Sequence, residues 1–212
     1  MRWWRRERRA LLLLPIALIA IAVGAGSRVE EYWWARGFHE KAAVEGGWAQ
    51  IVDEYDDSHL KYPIRAEFKV DSIRPVEVVP GAIDNPVVAT GGQLWEATLK
   101  WKADPDVALV GCNIALFDRD GVQYNADGDG WDSEDYSFSD KCLPDATVGP
   151  RPELGSTAKP KVAEGDDPRP RSWEKTVLVV MKAGVVPTSV RVWYFLPRYA
   201  ELPVDAGESA AG

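Results

Sequence analysis

Histidine, cysteine and methionine each occur only twice in this chain of 212 residues, and each scarcity closes off some chemistry. His39 and His59 leave little capacity for general-base catalysis, and no close C-x-x-C or H-x-x-x-H pair provides zinc-ligand spacing. G-x-S-x-G, H-E-x-x-H and the phosphate-binding loop are absent. The paired carboxylates Asp53–Glu54 and Asp56–Asp57 read as charges at a helix end. An enzyme is therefore not expected. Basic residues are scarce outside the N-terminus: five of the 25 Lys and Arg, but only one of the 33 Asp and Glu, lie in the first nine residues. That leaves 20 bases against 32 acids beyond Ser27, a net charge of −12. Such a surface excludes the phosphate contacts on which nucleic-acid binding depends.

Charge and polarity are missing altogether from Ala10 to Gly26, ALLLLPIALIAIAVGAG. As a helix this run covers about 25 Å, the short end of a hydrocarbon core. Trp3 and Trp4 precede it and Tyr32, Trp33 and Trp34 follow it, residues that favour the headgroup layer. The reading is a transmembrane anchor over residues 10–34, with 1–9 as a basic cytoplasmic start facing anionic lipid. The Arg cluster then places the C-terminal bulk outside the cytoplasm, in a cell membrane crossed once. A cleaved signal peptide has the same order of parts, with Val23-Gly24-Ala25 as its cleavage site.

Outside the cytoplasm, an even count of cysteines favours a Cys112–Cys142 disulfide over two buried thiols. Closing a loop of about 30 residues stabilises by roughly 3 kcal/mol. Residues 35–62 read as a helical stalk or docking segment: Trp48, Ile51, Val52 and Tyr55 fall at i, i+3, i+4 and i+7, with Gly46-Gly47 as a joint. From Arg65 the period becomes two. Arg65–Val70, Pro75–Pro80, Gln93–Lys102, Leu109–Phe117, Val122–Tyr124, Lys175–Met181 and Ser189–Leu196 read as seven strands. Trp95, Ala97, Leu99 and Trp101 share one face, and Asp118-Arg-Asp-Gly121 is a hairpin turn. The fold class is mainly β, an antiparallel β-sandwich over 63–202. A long loop covers 144–171, and 203–212 is a disordered tail.

Asn125-Ala-Asp-Gly-Asp-Gly resembles the start of a calcium loop, with Asn125, Asp127, Asp129 and Asp132 as oxygen ligands. The twelfth position, which should be a bidentate Glu, is Tyr136, so a solvated acidic loop competes with calcium. No other cofactor is expected. Trp95, Trp101 and Trp193 read as core, while Trp48, Trp131 and Trp173 serve local packing or a partner surface.

Three segments carry a family resemblance: Gly91–Trp101, Ala115–Tyr124 with its D-x-D-G hairpin, and Glu174–Gly184 followed by Ser189–Trp193. Together they resemble the telokin-like, immunoglobulin-like domains of bacterial membrane-anchored proteins and lipoproteins. The likeness spans about Ile64 to Leu202, and the insert from Asn125 to Ser172 departs from that family's pattern. It implies an immunoglobulin-like sandwich working as a binding or assembly module, with an envelope protein as partner. A calcium-dependent surface or adhesion domain is the alternative.

Overall fold

The computed structural model describes residues 3–77, 88, 90–126, 141–145, 147, 149–153 and 155–205, and of residues 3–13 and Ser27 the backbone alone. Helix α1 spans Trp3–Val29 and widens into a π turn over Glu30–Trp34. At 1.5 Å per residue, α1 is about 40 Å long. Leu14, Ile16, Leu18, Ile19, Ile21 and Val23 are each more than half exposed on it. Among the described residues no helix is long and apolar enough to cross a membrane, so they do not by themselves establish the span expected over 10–34.

Among the described residues ten strands follow: β1 (Glu40–Lys41), β2 (Val44–Glu45), β3 (Trp48–Asp56), β4 (Lys61–Val76), β5 (Gly92–Lys102), β6 (Asn113–Phe117), β7 (Gln123–Asn125), β8 (Ser172–Lys182), β9 (Ser189–Trp193) and β10 (Arg198–Pro203). They form two five-stranded sheets, ordered β1-β10-β9-β6-β7 and β2-β3-β4-β5-β8. Every pairing is antiparallel except β1 with β10. The chain is thus mainly β, and both sheets contribute to one hydrophobic core. Ile114, Leu116, Val190 and Val192 enter it from the first sheet, and Phe68, Ala97, Leu99, Trp101, Val177 and Val179 from the second. Each fully buried aliphatic side chain contributes about 1.5–3 kcal/mol against solvent exposure.

The alternation in β5 places Trp95, Ala97, Leu99 and Trp101 inward, as period two requires. The D-x-D-G turn forms the β6–β7 hairpin, where Asp118 Oδ1 accepts from the N–H groups of Asp120 and Val122 at 2.9 Å each. The expected runs at Arg65–Val70 and Pro75 onward are one strand, β4, whose register slips between Val70 and Ser72. Residues 78–80 of the second run lie outside the described residues.

Residues 35–62 are not a helical stalk: they build β1, β2 and β3. In β3 the buried residues are Ala49, Ile51, Asp53 and Tyr55, while Val52 is 59% exposed. The i, i+3, i+4, i+7 stripe misled because the strand's inward positions include a small Ala and a polar Asp. Gly46-Gly47 is no joint. It is the two-residue loop of the β2–β3 hairpin, with φ of 57° and 81°, and Glu45 pairs with Trp48 across it. Glycine accepts the two positive φ values that such a turn needs.

The insert after β7 is pinned at its far end. Phe68, Trp101 and Trp173 form a column, with centroids 5.2 and 6.1 Å apart, and the Arg169 guanidinium lies 5.1 Å over Trp173. Trp173 is therefore core in β8, not a partner surface. Within the described part of 144–171, an isolated bridge joins Arg151 and Lys161.

Candidate functional site

The connection between α1 and the first sheet gathers a group of aromatic and charged side chains outside the core. Past the π turn, the Ala35 N–H donates to Glu30 O at 2.9 Å and the Gly37 N–H to Trp34 O at 3.3 Å. Tyr32, Trp33 and Trp34 stay exposed. The His39 ring lies parallel to Trp34 and tilted to Trp33, 4.4 Å from each. Its Nε2 is 3.3 Å from Trp33 O, to which it donates in the Nε2–H tautomer. A Cβ at Gly37 would come within 2.3 Å of that nitrogen, so only glycine lets the ring close over the tryptophans.

Phe38 then covers the outer face of the first sheet. It makes edge contacts with Phe117, Trp193 and Tyr199 at 5.8, 5.0 and 5.2 Å. The Arg191 guanidinium sits among the same rings, 4.0 Å from Phe117 and 5.2 Å from Phe38 and Tyr199. Glu201 holds the cations here, accepting from Arg191 Nε at 2.9 Å, Lys41 Nζ at 2.7 Å and the Ser189 hydroxyl at 2.9 Å. Burial alone would raise the Glu201 carboxyl, but the bonds from Lys41, Arg191 and Ser189 outweigh it and hold the group at about 2. Backbone bonds complete the junction, His39 and Glu40 N–H to Pro197 O and Ala42 N–H to Tyr199 O.

Beside this junction, between β10–β9 and β3, lies a recess of about 210 Å³. Ala42, Ile51, Val192 and Tyr199 supply apolar wall, and Glu40, Lys41, Asp53 and Arg198 supply charge. Asp53 is 8% exposed, and its carboxylate accepts from the Glu54 N–H at 2.9 Å and the Phe195 N–H at 3.1 Å. Arg198 spans from Glu40 at 3.0 Å to Asp53 at 3.5 Å. Accepting from Glu54 in β3 and from Phe195 after β9, and facing Arg198 in β10, Asp53 acts as a clasp between the two sheets.

Of the residues singled out from sequence, Cys112 and Cys142 are joined in a disulfide with Cα atoms 5.9 Å apart, both fully buried. Trp173 Nε1–H donates to Cys142 O at 2.8 Å, tying the bridge to the aromatic column. Asn125 ends β7 on the surface, its side-chain oxygen accepting from the Gln123 amide at 2.6 Å. Asp127, Asp129, Asp132 and Trp131 lie outside the described residues, as do the side chains of Trp3 and Trp4. Among the described residues no group of three or more His, Cys, Asp or Glu could hold a metal ion. Trp48 is half-buried, with Lys69 and Lys102 nitrogens 5.3 and 3.9 Å from its ring centre, so it opens no bare apolar patch.

Phe38, Arg191 and Arg169 were not legible beforehand, and Asp53, read as a helix-end charge, is a buried residue of β3. Phe38 and Asp53 sit in a stretch read with the wrong period, and single Arg residues carry no local pattern. The chain matches no protein-family model, no curated protein and no solved structure.

Proposed function

We propose that this chain is a single-pass, membrane-anchored module for binding or assembly, with residues 1–9 cytoplasmic and an immunoglobulin-like sandwich displayed outside the cytoplasm. The observation that carries this reading is the state of α1. Its apolar side chains from Leu14 to Val23 stand exposed on all sides, and none of the described residues packs over them. A helix apolar all round needs a nonpolar surrounding, and a lipid bilayer supplies one.

Two features support the placement. The exposed Tyr32, Trp33 and Trp34 occupy the helix end where interfacial aromatics belong, with Arg28 and Arg36 on either side. The junction is short and clamped by His39 and Phe38, so the sandwich is held close to the helix end rather than on a flexible tether. Its role is binding rather than catalysis, with an envelope protein as partner.

Alkaline carbonate extraction of membranes from cells making the full chain, combined with protease added outside intact cells, tests the reading. The chain should stay with the membrane pellet, and the protease should remove the sandwich while sparing an N-terminal tag. Release into the carbonate supernatant, or a mature N-terminus near Ala25, would overturn the anchor.

A further inference from the structure

The four sheet edges are unequal. β1 and β2 have two residues each and β7 three, which blunts those edges, whereas β8 is an outer strand of eleven residues. Each β8 residue from Ser172 to Lys182 pairs with β5 on one side. Among the described residues no strand pairs with its other side. An edge of that length presents about five outward N–H and C=O pairs.

We propose that this edge pairs antiparallel with β8 of a second copy of the chain, about a two-fold axis at Leu178, joining two sheets into one. The charge pattern selects both the occupant and the register. The outward-facing residues of β8 are Ser172, Glu174, Thr176, Leu178, Val180 and Lys182. Centred on Leu178, antiparallel pairing sets Glu174 opposite the partner's Lys182, and Lys182 opposite the partner's Glu174. Thr176 faces the partner's Val180, and Leu178 faces the partner's Leu178. Opposite charges and apolar residues facing across strands are the pairs that stabilise a sheet. Centring on Val177 sets Glu174 against Val180 and Lys182 against Ser172. Centring on Val179 sets Lys182 against Thr176 and Glu174 against Gly184. Both alternatives leave the charges unmatched, and shifts by half a step would turn the apolar face outward.

The existing contacts leave this pairing open. Glu174 has a 3.5 Å contact with Lys100, which already holds Asp71 at 2.5 Å, and Lys182 makes no ion pair among the described residues. Lys175, the one charged residue on the inner side of β8, is paired with Asp145. The edge is separate from the junction at α1, so the proposal does not depend on the membrane reading.

Cysteine cross-linking of the purified full chain in mild detergent tests it, with mass measured by light scattering. At the axis, facing Cα atoms lie about 4.5–5.5 Å apart, within disulfide reach. Leu178→Cys should therefore give a covalent dimer on mild oxidation. Val180→Cys alone should not, because the two copies of residue 180 are offset by about 13 Å along the strands. The Thr176→Cys/Val180→Cys pair should cross-link again. Glu174→Lys should weaken the dimer about tenfold, and adding Lys182→Glu should restore it. A monomeric mass at every concentration, or Val180→Cys cross-linking as well as Leu178→Cys, would overturn the proposal. The second outcome would assign any dimer to another surface, such as the helices.

Discussion

Replacing Arg169 by methionine should destabilise the β unit by about 2–3 kcal/mol, although methionine matches most of the side chain's apolar stem. Arg169 is 1% exposed, and its Nη2 donates at 2.8 Å to both Asp104 O and Val107 O. Its plane also caps Trp173 at 5.1 Å. Hydrogen bonds from a charged donor contribute about 1.5–3 kcal/mol each, and a desolvated cation–π contact up to about 2. Against these stands the desolvation of a guanidinium, several kcal/mol, which methionine does not incur. That opposing cost shows in the guanidinium itself, which burial pulls below its ordinary value. The balance leaves two underbonded carbonyls as the main loss. For a domain of this size, each kcal/mol lowers Tm by about 2–4 °C, so the midpoint should fall by roughly 4–12 °C. Thermal unfolding followed by circular dichroism and tryptophan fluorescence would measure it. Gly149 makes the test sharper: a Cβ there would lie 3.0 Å from Arg169 Cβ and from Nη1, at φ of 82°. Gly149→Ala should cost less in the Arg169→Met background than in the natural chain, since the flexible methionine can yield. A methionine variant with an unchanged midpoint would refute the carbonyl-capping argument.

Three further outcomes follow from the same geometry. The Glu201 carboxyl lies below its unfolded value, so its ionised form stabilises the fold above pH 4.5, and that stabilisation fades as pH falls toward about 2. Discounted for partial exposure, the effect is roughly 1–2 kcal/mol, and Glu201→Gln should flatten the dependence of the urea midpoint on pH in that window. Replacing Cys112 and Cys142 together by alanine should cost about 3–4 kcal/mol, because their bridge closes a loop with a separation of 30 residues. Calorimetry of that variant beside the natural chain would show it. Phe38→Ala should free the junction while leaving the sandwich folded, costing about 1–2 kcal/mol. Limited proteolysis should then cut near residues 35–39 several times faster, and an unchanged cutting rate would mean that Phe38 is not the clamp.

Much of the β architecture was legible because its signals are local. Alternation in β5, β8 and β9 reports which face meets the core, the continuous apolar run of β6 marks a strand buried on both faces, and D-x-D-G reports its own hairpin through the Asp118 carboxylate. The N-terminal strands were hidden for a physical reason. Asp53 occupies an inward position in β3, a place for an apolar residue in a simple alternating pattern, and is tolerated there because the Phe195 N–H satisfies it from 142 residues away. β10 was missed as well, since Arg198–Pro203 gains its strand character by pairing with β9 and β1.

By itself, then, the sequence determined an apolar N-terminal helix, an acidic mainly β unit, and two cysteines suited to a bridge. These follow from composition and period, which act between near neighbours. Only the tertiary structure decided that Phe38 rests on Arg191, that Arg169 caps the aromatic column, and that β8 ends a sheet with no strand of the described residues on its far side. Each of these depends on chain segments far apart in sequence, and a spacing rule carries no record of which distant segments the core brings together.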